Sequence, residues 1–354
     1  MKMETKTIET TSPIGFGKTI TFMISHDKRH PLHEHVDAPD ADAIGSMFLT
    51  VKFFKSSLNN NEHCYIRFAE YACIDKLEIS YNNNRIASYT GDYLFMKNNM
   101  HDSDRIEIPV PWALLPIHML NSPICITVRF ASVRCVASKY MCELFNSAGV
   151  DVPEDSDFWN IFSATLTYEK CMLSDETKRA HYKEAESGIM KINMNAIVKA
   201  CSQPSTAFDN TCVYPDSNST TTEFNIFPSM PINKIYVLYR NEDESMDNFE
   251  FKKWDRLLID EPDESVPFLE FMKPGRFFSA KTNQSYDETS RPKLVFEPTN
   301  NMVCLNGFRY ARMDHAPKAS ITHPPAKHGD RIDVFFELNN FYVIKPANIW
   351  MLFV

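Results

Sequence analysis

The stretch from Arg105 to Phe130, RIEIPVPWALLPIHMLNSPICITVRF, decides the fold class of this chain. Apolar residues alternate with charged or polar ones on either side of a proline cluster formed by Pro109, Pro111 and Pro116. Period-two alternation is typical of a half-buried β-strand, and proline interrupts a strand because it has no N–H to donate. The stretch therefore predicts a strand, a proline-rich corner and a second strand.

Trp112 stands between these prolines, at the predicted corner. One interpretation is a core residue that anchors the turn. The other is an anchor in a subunit interface, a position in which tryptophan is over-represented. Under either interpretation, the candidate structural residues of the chain are Trp112, Pro109, Pro111 and Pro116.

The composition favours an all-β protein with a large core. The 354 residues are 44% hydrophobic and 12% aromatic, with 26 Phe and 14 Tyr, and aromatic residues are enriched in strands. Only 9 Gly are present, and none forms a loop that could cradle a nucleotide. The formal net charge of −9 argues against direct nucleic-acid binding as the main task, because phosphate-binding surfaces need a basic excess.

The nine cysteines show no CxxC or zinc-ribbon spacing. Most stand in apolar runs, which predicts buried reduced thiols and fits the reducing cytosol. These are Cys64, Cys73, Cys125, Cys171 and Cys304. The opening residues MKMETKTIETT lack the apolar centre of a signal peptide, and no apolar run approaches the roughly 18 residues of a membrane span.

Strand-like patterns divide the chain into two halves around one helical segment. Residues 174–188, SDETKRAHYKEAESG, begin with a capping serine and two acidic residues and end with glycine, which predicts a short helix. We expect an N-terminal segment over 1–13, a first jelly roll over 14–174, a helical linker over 175–188 and a second jelly roll over 189–354. Many short strands with almost no helix favour an all-β chain of two tandem eight-stranded antiparallel jelly rolls.

Within the halves, the first expected strand covers residues 16–24, and residues 65–96 form a strand-like run. Asn82, Asn83 and Asn84 predict a hairpin turn in that run, because asparagine tolerates positive φ. The apolar pairs Leu77/Ile79 and Leu166/Tyr168 predict strands buried on one face. Residues 202–222 and the acidic run 241–250 are expected to be exposed loops.

Six regions, in order, resemble the double jelly-roll major capsid proteins of the nucleocytoplasmic large DNA viruses. They are FGKTITFMI (16–24), YACIDKLEISYNNNRIASYTGDYLFM (71–96), IEIPVPWALLPIHMLNSPICITVRF (106–130), ATLTYEKCMLSDETKRAHY (164–182), FNIFPSMPINKIYVLYR (224–240), and FRYARMDHAPKASI with DRIDVFFELNNFYVIK (308–345). The likeness spans nearly the whole chain. Two features depart from the family: the aromatic- and Arg-rich N-terminal arm is not found, and the chain is short.

The resemblance implies a structural protein rather than an enzyme. It implies a homotrimer of pseudo-hexameric outline that tiles into an icosahedral capsid shell and meets penton and minor capsid proteins. It further implies location in the virion, assembly in the host cytoplasm, an internal membrane as a further partner, and no cofactor. The short chain leaves a minor capsid paralogue or a membrane-scaffolding shell protein as alternatives.

A carbohydrate-binding, lectin-like β-sandwich is the alternative from another class. It would need exposed aromatic platforms and usually acidic loops that ligate calcium. The run 241–250 supplies acidic residues without a regular ligand spacing. A jelly-roll enzyme of the cupin kind would need a His/Glu metal motif, which the sequence does not contain.

Four histidines lie within ten residues and raise the question of a metal site. A metal needs imidazoles that converge at fixed geometry, whereas a solvated loop or a pH-sensitive contact needs no such convergence. The histidines are His26, His30, His33 and His35.

Two further sets of residues have ligand or acceptor chemistry. Cys135 and Cys142 could join His118 as metal ligands, although buried thiols are the simpler interpretation. Asn218 and Asn283 fit the N-glycosylation pattern, and without a secretory signal both are expected to be unmodified. Since no GxSxG, HExxH or P-loop motif is present, we expect no catalytic site and no required metal or cofactor.

Overall fold

The computed structural model describes residues 2–10, 14, 17–26, 41–55, 69–98, 105–131, 159–187, 190–199, 213–225, 232–241, 251–260, 293–298, 301–308, 318–345 and 348–352. Two compact units emerge from them. The first contains described residues up to Asn195 together with Phe341–Leu352, and the second contains described residues between 196 and 340. Within these ranges no helix is both long enough and apolar enough to span a membrane.

The first eight strands form two four-stranded antiparallel sheets. They are β1 (Lys2–Glu9), β2 (Thr19–Ile24), β3 (Ala43–Lys55), β4 (Ile74–Tyr81), β5 (Asn84–Tyr89), β6 (Arg105–Ile108), β7 (Ile124–Phe130) and β8 (Trp159–Met172). One sheet has the order β1–β8–β3–β6 and the other has the order β2–β7–β4–β5. Apart from the β4–β5 hairpin, strands that follow one another in the sequence lie in opposite sheets, as in a jelly roll.

The later strands repeat this topology. They are β9 (Lys191–Lys199), β10 (Thr221–Asn225), β11 (Ile232–Asn241), β12 (Arg256–Asp260), β13 (Lys293–Phe296), β14 (Met302–Phe308), β15 (Lys318–Thr322), β16 (Asp330–Lys345) and β17 (Asn348–Leu352). The sheet order β10–β15–β12–β13 corresponds to β2–β7–β4–β5, strand for strand. The order β9–β16–β11–β14 likewise corresponds to β1–β8–β3–β6, with β17 as an additional strand on β16. The predicted all-β fold of two tandem jelly rolls is confirmed.

The described helices are short. They are α1 (Ala69–Ala72), α2 (Gly91–Lys97), a 3-10 turn (Ile117–Met119) and α3 (Asp175–Glu186). The helix predicted from Ser174 onward is confirmed as α3. Its N-cap is Ser174, whose hydroxyl accepts a hydrogen bond of 3.2 Å from the amide of Thr177.

The strand-like interpretation of residues 65–96 is wrong at both ends of its described part, where α1 and α2 lie. Thr90 caps α2 through a hydrogen bond from Tyr93 N to its hydroxyl, 3.3 Å long. Residues Gly91–Met96 are all buried, so the helix is enclosed on most sides and lacks the one-sided periodicity that marks a surface helix.

Between these helices the local predictions are confirmed. Asn82 and Asn83 adopt φ angles of 50° and 61° and join β4 to β5, as a tight hairpin turn requires. Leu77 and Ile79 are fully buried on β4. Leu166 and Tyr168 are fully buried on β8, so the alternation does mark the core face.

Strand β1 lies in the predicted N-terminal segment 1–13, ahead of the first strand expected from the sequence. It pairs with β8 along its whole length, from Lys2 opposite Met172 to Glu9 opposite Thr165. Its residues are mostly charged or threonine, and Met3 and Ile8 are the apolar residues in it, too few for a clear apolar alternation. The partner strand, rather than hydrophobic periodicity, makes this segment a strand.

Candidate structural site at the proline corner

The corner between β6 and β7 carries the chain from one sheet of the first jelly roll to the other. Strand β6 pairs with β3, whereas β7 lies between β2 and β4 in the opposite sheet. The predicted strand–corner–strand is therefore confirmed, and the corner bridges the two layers. Alternate residues of both strands are buried, from Ile106 and Ile108 to Val128 and Phe130.

Backbone hydrogen bonds fasten the corner to the start of β3. Leu115 and Ile44 exchange two of them, 2.8 and 2.9 Å long. The carbonyl of Pro109 accepts a hydrogen bond from the hydroxyl of Tyr89, and the carbonyl of Pro116 accepts one of 3.2 Å from the amide of Met119. Pro111 is buried.

Trp112 is 4% exposed in the isolated chain. Its indole Nε1 has no hydrogen-bond partner among the described residues. The side chain therefore contributes to the core through apolar burial. Whether Trp112 also supports a subunit interface stays a prediction.

Asp42 connects the corner to β8 and to α3. One carboxylate oxygen accepts a hydrogen bond of 2.9 Å from the amide of Leu173, and the other lies 3.0 Å from the ammonium of Lys178. The carbonyl of Asp42 accepts two hydrogen bonds from His118, at 3.0 Å from the amide and 2.9 Å from Nδ1. Because a carbonyl can only accept, Nδ1 of His118 carries the proton.

His118 also forms an aromatic contact with α3. Its ring stacks on that of His181, with centroids 5.4 Å apart and planes at 22°. It meets the ring of Tyr182 edge-on at 5.7 Å, while the hydroxyl of Tyr182 donates to the carbonyl of His118 over 3.2 Å. His26 lies at 6.4 Å, and its own Nδ1 donates to the carbonyl of Ala41.

The two titratable groups at the centre of the site have shifted pKa values. Burial alone would raise the pKa of Asp42, but the hydrogen bonds from Leu173 and Lys178 outweigh it and lower that pKa. For His118 burial dominates and lowers the pKa, with an opposing effect from its hydrogen bond to Asp42. At neutral pH the pair is therefore a carboxylate beside a neutral imidazole.

Sequence reasoning identified the corner and missed the residues that hold it. Asp42, Lys178, His181 and Tyr182 were not predicted as site residues, and His118 was considered only as a partner of Cys135 and Cys142, which lie outside the described residues. No local pattern could have found the cluster. Asp42 is 76 residues from His118 and 131 from Leu173 along the chain.

Nothing among the described residues forms a group of three or more His, Cys, Asp or Glu side chains that could hold a metal ion. Of the predicted histidine loop only His26 is described, so His30, His33 and His35 stay untested. The described cysteines are free thiols. Cys73 and Cys171 are buried and Cys125 is half-buried, while Cys64 lies outside the described residues.

For Cys304 the prediction of burial is wrong, because this residue is exposed. It lies on β14 opposite Lys234, and its neighbour Val303 is buried instead. The apolar run around it is real, but the strand alternation turns the thiol outward.

The second unit has a buried carboxylate of its own, Asp330. It accepts hydrogen bonds from Tyr239 (2.6 Å), Asn241 (2.6 Å) and the backbone amide of Lys327 (2.9 Å), and it pairs with the ammonium of Lys252 at 2.5 Å. Burial would raise the pKa of Asp330, but these hydrogen bonds lower it. The sequence did not predict this cluster either.

No family model matches the sequence, and no curated protein matches it. Several solved structures match the chain. PBCV-1 VP54, whose crystal structure was fitted into a reconstruction of the virophage Sputnik, matches with a TM-score of 0.57 at 9% identity, covering 100% of this chain and 97% of that one. A chain of the PBCV-1 virus capsid matches at 0.55 and 9% identity, with the same two coverages of 100% and 97%.

A chain from the atomic structure of Sulfolobus Turreted Icosahedral Virus gives a TM-score of 0.52 at 10% identity, covering 98% of this chain and 92% of that one. The chain has the double jelly-roll fold. The part of the chain that matches these structures includes both jelly rolls, in agreement with the strand order that the two halves share. At 9% to 10% sequence identity, the similarity to these structures concerns the fold.

Proposed function

We propose that the chain is a structural subunit of an icosahedral virus capsid and that it acts without catalysis. One observation carries the proposal: the likeness to the PBCV-1 chain covers 100% of this chain and 97% of that one. Single jelly rolls occur in lectins, cupins and capsids alike. A tandem pair matched over its whole length to capsid chains favours the capsid role.

The two jelly rolls in each chain suggest how copies of the chain assemble. Each chain supplies two jelly rolls of corresponding strand order, so three chains around a threefold axis supply six similar sandwiches. Such a trimer has a nearly hexagonal outline and can tile a surface. An obligate interface of this kind buries on the order of 2,000 Å² or more.

The chemistry of the strand edges supports assembly through specific faces. Strand β1 is the edge of its described sheet, and its residues Glu4 and Lys6 place opposite charges there. Charged edge residues discourage uncontrolled strand addition. With a net charge of −9 per chain, trimers repel one another unless their lateral contacts are locally complementary, which makes those contacts sensitive to salt.

The proposed location is the capsid shell of the virion, after assembly in the host cytoplasm. There the trimers would meet penton and minor capsid proteins, and an internal membrane where the virus has one. The shell role does not call for direct contact with nucleic acid, in keeping with the acidic charge. A minor capsid paralogue would share the same fold and the same trimer.

Native mass measurement and negative-stain imaging of the full chain test the proposal. We expect a trimer at micromolar concentration that persists from low to high salt, and larger assemblies that form or dissolve as salt changes. Sucrose at matched osmolarity is the control, because it screens no charge. A monomer under every salt condition would contradict the capsid proposal.

A further inference from the structure

Among the described residues, Lys178, His181 and Tyr182 attach helix α3 to the first jelly roll, and two of the three contact His118. Lys178 pairs with Asp42 at 3.0 Å, the hydroxyl of Tyr182 donates to the carbonyl of His118, and the ring of His181 stacks on that of His118. Lys178 is three residues before His181 and four before Tyr182, the spacings that place side chains on one side of a helix. The state of His118 therefore affects the attachment of the whole helix.

The imidazole of His118 has one nitrogen available for a further proton. Its Nδ1 already donates to the carbonyl of Asp42, so a second proton must go to Nε2. Nε2 is buried and has no hydrogen-bond partner among the described residues. A proton placed there would create a charge in a site 7% exposed, with no acceptor to receive the new N–H.

The described groups around His118 offer little compensation for that charge. His26 faces it from just beyond the end of β2, and His181 and Tyr182 face it from α3. Asp42 is the nearby anion, but its carboxylate already binds Leu173 and Lys178. A proton on His181 or His26 would repel an imidazolium at this position.

We propose that α3 is a proton-released clasp: protonation of His118 at mildly acidic pH separates His181 and Tyr182 from the corner and detaches α3 from the first jelly roll. Detachment lets water reach Nε2 and removes the unfavourable burial. The released form binds the proton at the ordinary imidazole pKa of about 6.5.

The direction of the effect follows from linkage. Burial keeps the pKa of His118 lower in the attached form than in the released form. The released form therefore binds more protons, and attachment weakens as pH falls below about 6.5 until His118 also titrates in the attached form. One proton can weaken attachment by up to about tenfold per pH unit.

Hydrogen–deuterium exchange of the full chain tests the clasp. Exchange of peptides from α3 is compared at pH 7.5 and 5.5, after correction for intrinsic rates, with peptides from β4 and β7 as internal references. We expect the protection of α3 to fall about tenfold at pH 5.5 while that of the two strands stays constant. Constant protection of α3 would overturn the proposal.

His118→Asn is the decisive variant, because its amide can donate to the carbonyl of Asp42 as Nδ1 does but cannot take up a proton. We expect the protection of its α3 to be the same at both pH values. His328→Asn is the matched control, since His328 is exposed, and it should behave like the parent. A pH-dependent loss in His118→Asn as large as in the parent would overturn the proposal.

A second measurement uses the parent chain and so does not depend on the folding of the His118→Asn variant. Exchange of the imidazole C2 hydrogen in the parent chain reports the titration of each histidine. We expect the pKa of His118 to lie below the ordinary imidazole value of about 6.5, and a titration at or above that value would overturn the clasp. The exchange experiment is repeated with EDTA, and a loss of α3 protection at pH 7.5 would show that a metal, rather than a neutral imidazole, holds the helix.

Discussion

The ammonium of Lys178 lies 3.0 Å from the carboxylate of Asp42, whose side chain is 2% exposed. This contact joins helix α3 to the segment that enters β3. We expect Lys178→Ala to destabilise the fold by about 1–3 kcal/mol, because it leaves a buried carboxylate with one described hydrogen bond, from Leu173. Urea denaturation measures the loss.

Arg179→Ala is the matched control for that change, since Arg179 is the next residue of the same helix and is exposed. It removes the same charge without touching Asp42 and should change the free energy of unfolding by less than about 0.5 kcal/mol. Equal effects of the two substitutions would mean that the ion pair does not stabilise the attachment.

Gly91 packs against the backbone of the segment that precedes it. A Cβ atom built on Gly91 would lie 2.0 Å from the carbonyl oxygen of Tyr71 and 2.7 Å from that of Ile74. We therefore expect Gly91→Ala to cost about 3 kcal/mol or more, or to prevent folding. Soluble yield and thermal denaturation measure the effect.

Gly45→Ala provides the comparison. Its Cβ would meet the carboxylate oxygen of Glu169 at 3.1 Å, and the end of that flexible side chain can move. We expect a cost below about 1 kcal/mol. If both alanine variants were equally stable, the close packing around Gly91 would be refuted.

Trp112→Ala should destabilise the first jelly roll by about 3–5 kcal/mol, because it removes a side chain that is 4% exposed and leaves a cavity. Trp112→Phe should cost less, since the indole N–H that it loses has no described partner. Tyr214→Ala is the control, at a residue that is 58% exposed. A Trp112→Ala protein as heat-resistant as the parent would contradict the core assignment.

Asp330→Asn should destabilise the fold by about 3–5 kcal/mol, because it leaves the Lys252 ammonium without its carboxylate in a site where Asp330 is 0% exposed. The lowered pKa of Asp330 means that its contribution is present above the ordinary pKa of about 3.9 and is lost as pH falls through the lower folded value. The variant should therefore lose less stability than the parent between pH 4 and 2.

Denaturation midpoints at several pH values measure this difference. Asp216→Asn is the control, because it makes the same substitution at an exposed residue and should change the free energy of unfolding by less than about 0.5 kcal/mol. An Asp330→Asn protein with the acid profile of the parent would show that the carboxylate does not titrate as expected.

Short helices show where local patterns stop being informative. Ser174 and the acidic residues after it identify α3 because capping is a local interaction. Helix α2 offered no such signal beyond Thr90, because Gly91–Met96 are all buried and their surroundings come from distant parts of the chain. The glycine of that segment is explained by packing against Tyr71 and Ile74, which the sequence alone does not show.

The sequence by itself determined the all-β class, the strands around the proline corner, the Asn82–Asn83 turn and the helix after Ser174. Each of these rests on alternation, turn chemistry or capping within a few residues. Only the tertiary structure decided that β6 and β7 lie in different sheets, that Lys2–Glu9 is a strand, and that Asp42 meets His118 and Lys178. Those contacts depend on the pairing of strands far apart in the chain, and no short stretch of sequence contains that information.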